Sequence, residues 1–472
     1  MRRKISKPVF LENILIEDVA AEGCSIAKID QKVVFINYGV PGDLVDIKIT
    51  QSKKNFAQAD ITNIHQKSDK RITPFCSHFG YCGGCQWQMM DYKFQVEAKQ
   101  QIINQQFFHL GGFSNLPQKP IIAAEKNRYY RNKIEYSFST YEFLTPEKFN
   151  PDLKNNLSNA AGYHVKNNFK KVIHIDTCYL QDELTNEIRK IVVQYLINHN
   201  LSYYNPVLHQ GWFRNLILRN NTQNEWMVIL VVSYEDNVAL SEIKDILVKE
   251  CNRIISIFVI FNNKQNDSIF DLQPNLLYFQ KDLCQELGEL KFKISPKSFF
   301  QTNPYQAFHL YEAIKAMVQN LGLKILYDLY CGTGSIGIYL HKLFDKIFGI
   351  DIISEAIQDA QENAHINQIS NVHFFCGDVL KICTADFIQQ HQPPDCIIID
   401  PPRNGVHPKF VEFLITIKAT YLVYVSCNPA TQVRDLKLLT THYTIENMQA
   451  IDMFPHTQHI ENICLLKLKN LS

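Results

Sequence analysis

Polar and apolar residues alternate with period two through Leu44-Val45-Asp46-Ile47-Lys48-Ile49, the pattern of a strand with one buried face. Lys32-Val33-Val34-Phe35-Ile36 reads as a second strand, and Gly39-Val40-Pro41-Gly42-Asp43 between them as a turn. Several such strands within about 60 residues predict a small β-barrel, OB-like in size. Periodicity then stops: Cys76, Cys82 and Cys85 lie among Gly80, Gly83, Gly84 and aromatics, a loop composition. A Gln-rich helix is expected from Tyr92 to Phe108, with Gln95, Lys99, Gln100 and Gln105 predicting a solvated or partner-facing surface. Residues 115–290 mix strands and helices without a repeat. Arg128-Tyr129-Tyr130-Arg131-Asn132-Lys133 leads into an alternating strand, Ile134 to Phe138. Tyr141 to Asn168, rich in Asn, Lys and Pro, reads as a long surface loop, and Trp212 to Arg219 as a strand with outward arginines.

From Ile294 the pattern becomes α/β. A helix over 304–320 precedes strands at Ile325 to Leu329, Lys346 to Ile350, Val372 to Phe375, Cys396 to Ile399 and Tyr421 to Val425. Helical segments between them predict a doubly wound parallel sheet. Tyr443 to Met453 and Ile463 to Leu468 are expected to pair as an antiparallel hairpin at its edge. Three domains follow from this reading: 1–65, 66–293 and 294–472.

Bulk composition narrows the partners. Over 472 residues the net charge is +1, so a nucleic acid would have to be held by a local basic surface rather than by an overall field. Arg128, Arg131, Lys133, Arg214 and Arg219 are candidate phosphate contacts. Met1-Arg2-Arg3-Lys4 is basic, but Glu12, Glu17 and Asp18 interrupt any apolar run after it, so no secretion signal is expected. No stretch has the length of a membrane helix. The 13 cysteines are expected to be reduced thiols in the cytoplasm.

The candidate chemistry lies after the strands of the C-terminal sheet. Asp328-Leu329-Tyr330-Cys331-Gly332-Thr333-Gly334-Ser335-Ile336-Gly337 contains a GxGxxG turn, where glycine permits close approach of a ligand to the backbone. Asp351 ends the next strand and is placed to bind ribose hydroxyls. Alone this suits NAD as well as S-adenosylmethionine. Asp378 after the third strand, Asp400-Pro401-Pro402-Arg403 after the fourth and Ser426-Cys427-Asn428-Pro429 after the fifth favour a methyltransferase. Methylation of uracil C5 needs a thiolate to add at C6, making C5 nucleophilic, and a base to remove the C5 proton. Cys427 supplies the first, and Glu461, before the last strand, is the candidate for the second. Cys331, Cys376, Cys396 and Cys464 lie in or beside core strands and read as structural. Cys76, Cys82 and Cys85, with Cys178 as a fourth, form a donor set that suits zinc or an iron–sulfur cluster.

In this order the motifs resemble the RNA uracil-5-methyltransferases, closest to the 23S rRNA enzymes that carry an N-terminal TRAM domain and an iron–sulfur cluster. The resemblance rests on the TRAM-like barrel, the Cys76/Cys82/Cys85/Cys178 set, Phe299-Phe300-Gln301-Thr302-Asn303, the Gly-rich turn, Asp-Pro-Pro-Arg, Ser-Cys-Asn-Pro and the late glutamate. It implies a [4Fe-4S] cluster on the four cysteines, and an S-adenosylmethionine site lined by Gln301, Tyr330, Ser335, Asp351 and Asp400. It further implies Cys427 as nucleophile and Glu461 as base. Family members often carry Asn at Ser335 and Glu at Asp351; the shorter side chains here make direct ligand contact less secure. The tRNA enzymes of the family generally look shorter, lacking barrel and cluster, so the expected partner is 23S rRNA, with no membrane and no obligate protein partner. A tRNA uracil-5-methyltransferase and a catalytically silent RNA-binding ribosome-assembly factor are the competing readings. The fold class implied is a multidomain chain: TRAM/OB-like barrel, central α/β domain with an iron–sulfur loop, and Rossmann-like methyltransferase domain. The helix near 92–108 is a candidate to pack on the last of these.

Overall fold

The computed structural model describes residues 9–470 apart from Ala21, residues 147–148 and 150–157, Asn167 and Lys281. Its largest sheet has eight strands. Their spatial order is Val372–Cys376, Lys346–Asp351, Ile325–Leu329, Cys396–Ile399, Tyr421–Ser426, Glu461–Leu468, Tyr443–Ile451 and Gln118–Ile122. The first five are parallel. All five lie within one residue of their expected bounds, because strands covered on both faces read as short, continuous apolar runs. The order reverses at Ile325–Leu329: the chain winds outward twice, then returns to lay Cys396–Ile399 on the other side. A crevice at the C-terminal ends of such a strand pair is where these sheets take ligands. Tyr330 and Asp400 stand at that crevice.

The C-terminal hairpin is antiparallel, but it is not the sheet edge that the sequence predicted. Gln118–Ile122 adds in parallel to Tyr443–Ile451 and takes the edge. That strand contains Pro120, which has no amide to donate and suits an edge; five residues with a proline gave no strand signal.

A second sheet of seven strands runs Asn168–His174, Ala160–Val165, Lys133–Ser139, Phe213–Asn220, Trp226–Val232, Ile254–Phe261 and Pro274–Phe279. The second falls in the stretch expected to be a surface loop, and the first, its antiparallel partner, starts at the last residue of that stretch. Ala160, Ala161, Val172 and Ile173 are buried there, and the polar residues around them hid the pairing. Residues 150–157 of the same stretch lie outside the described residues. Helices Leu184–Asn198 and Asn237–Glu250 share a core with one face of this sheet. The other face shares a core with helix Pro304–Val318 and the larger sheet, where Ile217, Met227 and Ile229 meet Leu310, Ile398 and Val425.

Burial on both faces corrects the expectation of outward arginines. Arg214 and Arg219 are 2% and 4% exposed. Arg214 donates to the carbonyls of Asn262 (2.8 Å) and Asn266 (2.9 Å) and to Asp267 (2.8 Å), and Arg219 donates to the Ser298 carbonyl at 2.6 Å. A planar guanidinium can be buried when several of its N–H groups find acceptors, as at Arg214; the buried Nε of each arginine has no hydrogen-bond partner among the described residues. Neither arginine is available to a phosphate.

Helix Tyr92–Gly111 places Ile102, Ile103 and Phe107 in one core with Phe410 and Leu436 of the C-terminal half. Gln95 and Lys99, expected at a solvated surface, are fully buried; each is paired with the loop that precedes Glu461. The N-terminal segment folds as six strands around Ile16, Val34, Ile36, Val45 and Ile47. Its described residues end in two edge strands, Val9–Leu15 and Asp18–Val19, with no rung closing a barrel. It is fastened to the cysteine loop by Tyr38 Oη donating to the Gly80 carbonyl (3.1 Å) and Trp87 Nε1 donating to the Gly23 carbonyl (3.0 Å). Among the described residues no helix is long and apolar enough to cross a membrane.

Candidate active site

Cys427 lies between strand Tyr421–Ser426 and helix Pro429–Leu439. The neighbouring residues build the turn. Asn428 is the N-cap, accepting from the Ala430 amide at 3.2 Å, and Pro429 takes the first helical position. Ser426 Oγ accepts from the Asn428 amide at 3.1 Å. Asn428 Nδ2 and Thr431 Oγ1 both donate to the Arg403 carbonyl at 3.2 Å, tying this turn to the Asp-Pro-Pro-Arg loop.

Glu461 reaches the same place by register. The antiparallel ladder pairs Val425 with Ile463 and Ser426 with Asn462, so the next rung sets Cys427 opposite Glu461. Only 6% of Glu461 is exposed. Burial, reinforced by the Asp400 carboxylate, raises its carboxyl well above the usual range, with Arg403 opposing. Burial also pushes the Cys427 thiol up to about 11; Glu461 and Asp400 push the same way and Arg403 the other. The site thus gathers a thiol, two carboxyl groups and one guanidinium, each felt by its neighbours. Burial holds Asp400 up at about 7. The Arg403 Nη2 lies 3.4 Å from the His459 ring nitrogen Nδ1. Burial, then Arg403, depresses His459 to about 4, so a neutral imidazole can accept from Arg403.

The Gly-rich turn stands on the other side of the crevice. Tyr330, Gly332 and Gly334 all have positive φ, at 65°, 54° and 73°. A Cβ on Gly334 would come within 2.5 Å of the Phe374 ring. Asp351 already accepts from the amides of Gly332 and Ile353, both at 2.9 Å, so its carboxylate braces the turn. Ser335 shares a 2.8 Å hydrogen bond with Tyr311. The Gln301 carbonyl accepts from Asn132 Nδ2 at 3.1 Å, and Phe299, two residues earlier, is 66% exposed. Asp378 caps a short helix through the Leu380 amide at 2.9 Å.

The roles of two groups here escaped the sequence reading. Asp328, buried and raised to about 7 chiefly by burial, accepts from the Gly337 amide at 2.9 Å. Asp435 accepts from Tyr424 Oη (2.7 Å) and the Val406 amide (3.0 Å), fixing the end of the Asp-Pro-Pro-Arg loop. Arg403 was legible as part of its motif, but its place between thiol and carboxyl needed the fold. Of the cysteines read as structural, Cys331, Cys396 and Cys464 are buried, whereas Cys376 is exposed.

Cys76, Cys82, Cys85 and Cys178 line one cavity of about 410 Å³ with Arg131, Tyr163 and Thr302. Burial raises the thiols, Cys85 to about 12. Among the described residues no three His, Cys, Asp or Glu side chains converge as ligands of one ion. The four sulfurs instead surround a space.

The tRNA (uracil-5-)-methyltransferase family model matches residues 91–469, and the TRAM domain model matches residues 12–62. An uncharacterized RNA methyltransferase of Bacteroides thetaiotaomicron is 40% identical, over 96% of this chain and 100% of that protein. One from Porphyromonas gingivalis is 37% identical, over 96% and 98%. The solved structure of Pyrococcus abyssi tRNA (uracil-54, C5)-methyltransferase with S-adenosyl-L-homocysteine superposes with a TM-score of 0.73 at 25% identity, covering 97% of this chain and 100% of that one. The chain belongs to the RNA uracil-5-methyltransferase family, S-adenosylmethionine-dependent enzymes, in a form that carries an N-terminal TRAM domain.

Proposed function

We propose that the protein methylates C5 of a uridine in 23S rRNA through a covalent Cys427 adduct. The observation that carries this reading is the ladder register that sets Cys427 against Glu461 beside Asp400 and Arg403. Cys427 Sγ bonds to C6, and the C5–C6 π electrons move toward C5 and O4. S-adenosylmethionine, when bound, supplies an electrophilic methyl, which C5 takes. Glu461 then removes the C5 proton, the C6–S bond breaks, and the double bond returns. Arg403 opposes the rise of both groups, favouring thiolate and carboxylate. Gln301, Tyr330, Ser335, Asp351 and Asp400 are proposed to line the methyl-donor site. The target base would be flipped into the crevice, with Arg128, Arg131 and Lys133 as phosphate contacts.

Cys76, Cys82, Cys85 and Cys178 would hold a [4Fe-4S] cluster. What supports this reading is that the four cysteines line one cavity, a donor set of sulfurs that suits a cluster or zinc. A second substrate reading is the tRNA T-loop, favoured by the full-length likeness to the Pyrococcus tRNA enzyme. Mapping 5-methyluridine in rRNA and tRNA from cells with and without the gene separates the two.

RNA bearing 5-fluorouridine at the target should form a denaturation-stable adduct, since fluorine cannot leave as a proton. Glu461→Gln should accumulate adduct on ordinary RNA. Methylation without any trapped adduct would remove Cys427 from the role of nucleophile.

A further inference from the structure

The loop between strands Tyr443–Ile451 and Glu461–Leu468 delivers Glu461 to the site, and its geometry turns on His456. His456 is 3% exposed and has a left-handed φ of 66°, a conformation that costs a β-carbon residue about 1 kcal/mol or more. Such a residue persists only where its surroundings hold it. The holder is Gln95, whose amide is fully buried in the first turn of the helix, on the face that also buries Lys99, Ile102 and Phe107. Gln95 Oε1 accepts from the His456 amide at 2.9 Å, and Nε2 lies 3.1 Å from His456 Nδ1. Nε2 also donates to the carbonyls of Trp87 (3.0 Å) and Met90 (2.8 Å). The two carbonyls fix which end of the amide is which; Nε2 has two protons to share among three acceptors, Nδ1 of His456 being the third, and burial keeps the imidazole neutral. The His456 carbonyl is taken by two more groups, the amides of Gln86 (2.9 Å) and Trp87 (3.0 Å), immediately after Cys85. The Phe75 ring meets the imidazole edge-on at 5.0 Å.

We propose that Gln95 and His456 form a positioning clamp that sets the Glu461 carboxylate for removal of the C5 proton. Neither residue needs to touch the base: four residues separate His456 from Glu461, and Thr457 and Ile460 among them are buried. The clamp rests on Glu461 being the base. It deepens that reading by giving the cysteine loop, through the Gln86 and Trp87 amides, a direct hold on the segment that carries the base. Loosening the clamp slows elimination more than it slows thiol addition or methyl-donor binding.

The test compares His456→Leu with His456→Asn in the full-length enzyme. Asn tolerates positive φ and offers Gln95 a side-chain acceptor; Leu does neither. With ordinary uridine RNA, His456→Leu should lower kcat by about tenfold to a hundredfold, leave KM for S-adenosylmethionine unchanged, and raise the steady-state fraction of protein–RNA adduct. His456→Asn should restore most of kcat and return the adduct fraction to that of the wild type. Should His456→Leu fail to fold, Gln95→Met removes the same contacts at similar volume and is read in the same way. A fall in kcat with the adduct fraction at or below wild type overturns the clamp, as does a normal kcat. The 5-fluorouridine adduct of the wild-type enzyme keeps the two readings apart. Its absence removes the covalent mechanism; its presence with unaltered elimination in the variants removes only the clamp.

Discussion

At Cys427 the field of the site opposes the chemistry proposed for it. A thiol held near 11 by burial, Glu461 and Asp400 is almost wholly protonated at neutral pH; Arg403 and, less strongly, a backbone hydrogen bond favour the thiolate. In the proposed mechanism bound substrate supplies the rest, by bringing the electrophilic C6 to the sulfur. The protein alone therefore has a testable titration. Alkylation of Cys427 by iodoacetamide, followed by mass spectrometry of its peptide, should rise about tenfold per pH unit from 7 to 10. Arg403→Gln removes the favourable charge and should slow alkylation at pH 8. Glu461→Gln removes a carboxyl that disfavours the thiolate and should speed it. A rate that levels off by pH 8, or the opposite order of the two variants, would mean that another group controls the thiol.

At the scale of elements, helix Tyr92–Gly111 and the loop it holds are the part of the fold that local sequence conceals. Lys99 Nζ donates to Asp452 Oδ1 at 2.6 Å and to the Phe454 carbonyl at 3.1 Å. Asp452 Oδ2 accepts from Tyr92 Oη at 2.8 Å, and both members of the ion pair have wholly buried side chains. Burial depresses the Lys99 ammonium, and Asp452 counters it. Removing one member of such a pair strands the other charge and costs about 3–5 kcal/mol. Lys99→Met should therefore accelerate amide hydrogen exchange by about a hundredfold over residues 92–103 and 452–460. Lys99→Met with Asp452→Leu should recover most of the protection. Unchanged exchange in the single variant would show the pair to be dispensable. The same contacts explain what the sequence disclosed. Ile325–Leu329 and Cys396–Ile399 matched their expected bounds because a strand covered on both faces needs only an apolar run between turns. Cys427 and Asp400 follow such strands and were legible with them. Gln95 and Lys99 were misread because their partners lie 361 and 353 residues away. Arg214 and Arg219 were misread because period-two alternation assumes one wet face, and this sheet has none in that strand. Glu461 could be proposed from the sequence, but its pairing with Cys427 depends on a register set by the whole hairpin.

Across the whole molecule, the segment from Cys76 to Met90 is the joint at which the parts meet. Gly80 accepts from Tyr38 of the N-terminal sheet, Cys82 bridges Val165 of the central sheet, and the Asp176 amide donates to His78 Nε2 at 2.9 Å. Gln86 and Trp87 grip the loop that leads to Glu461. Its C-terminal end is anchored by Trp87, Met89 and Met90 in the main core, while the glycine-rich stretch from Gly80 to Cys85 has less to hold it in one shape. Cys178 closes it from the central domain, and a cluster bound by all four sulfurs would cross-link the two segments as a disulfide cross-links distant ones. Protein purified without oxygen should then carry about four irons per chain and absorb visible light. Cys178→Ser should lose most of the iron, and exchange over residues 76–90 should accelerate even where the sheets stay protected. Restoring iron and sulfide to the wild-type protein after chelation should return that protection, a readout independent of methylation. Stoichiometric zinc without iron, or protection of residues 76–90 that ignores the metal, would mean that the cavity serves another purpose. The joint would then be held by its core side chains Trp87, Met89 and Met90 and by its hydrogen bonds to Tyr38, Asp176 and His456, without a cluster.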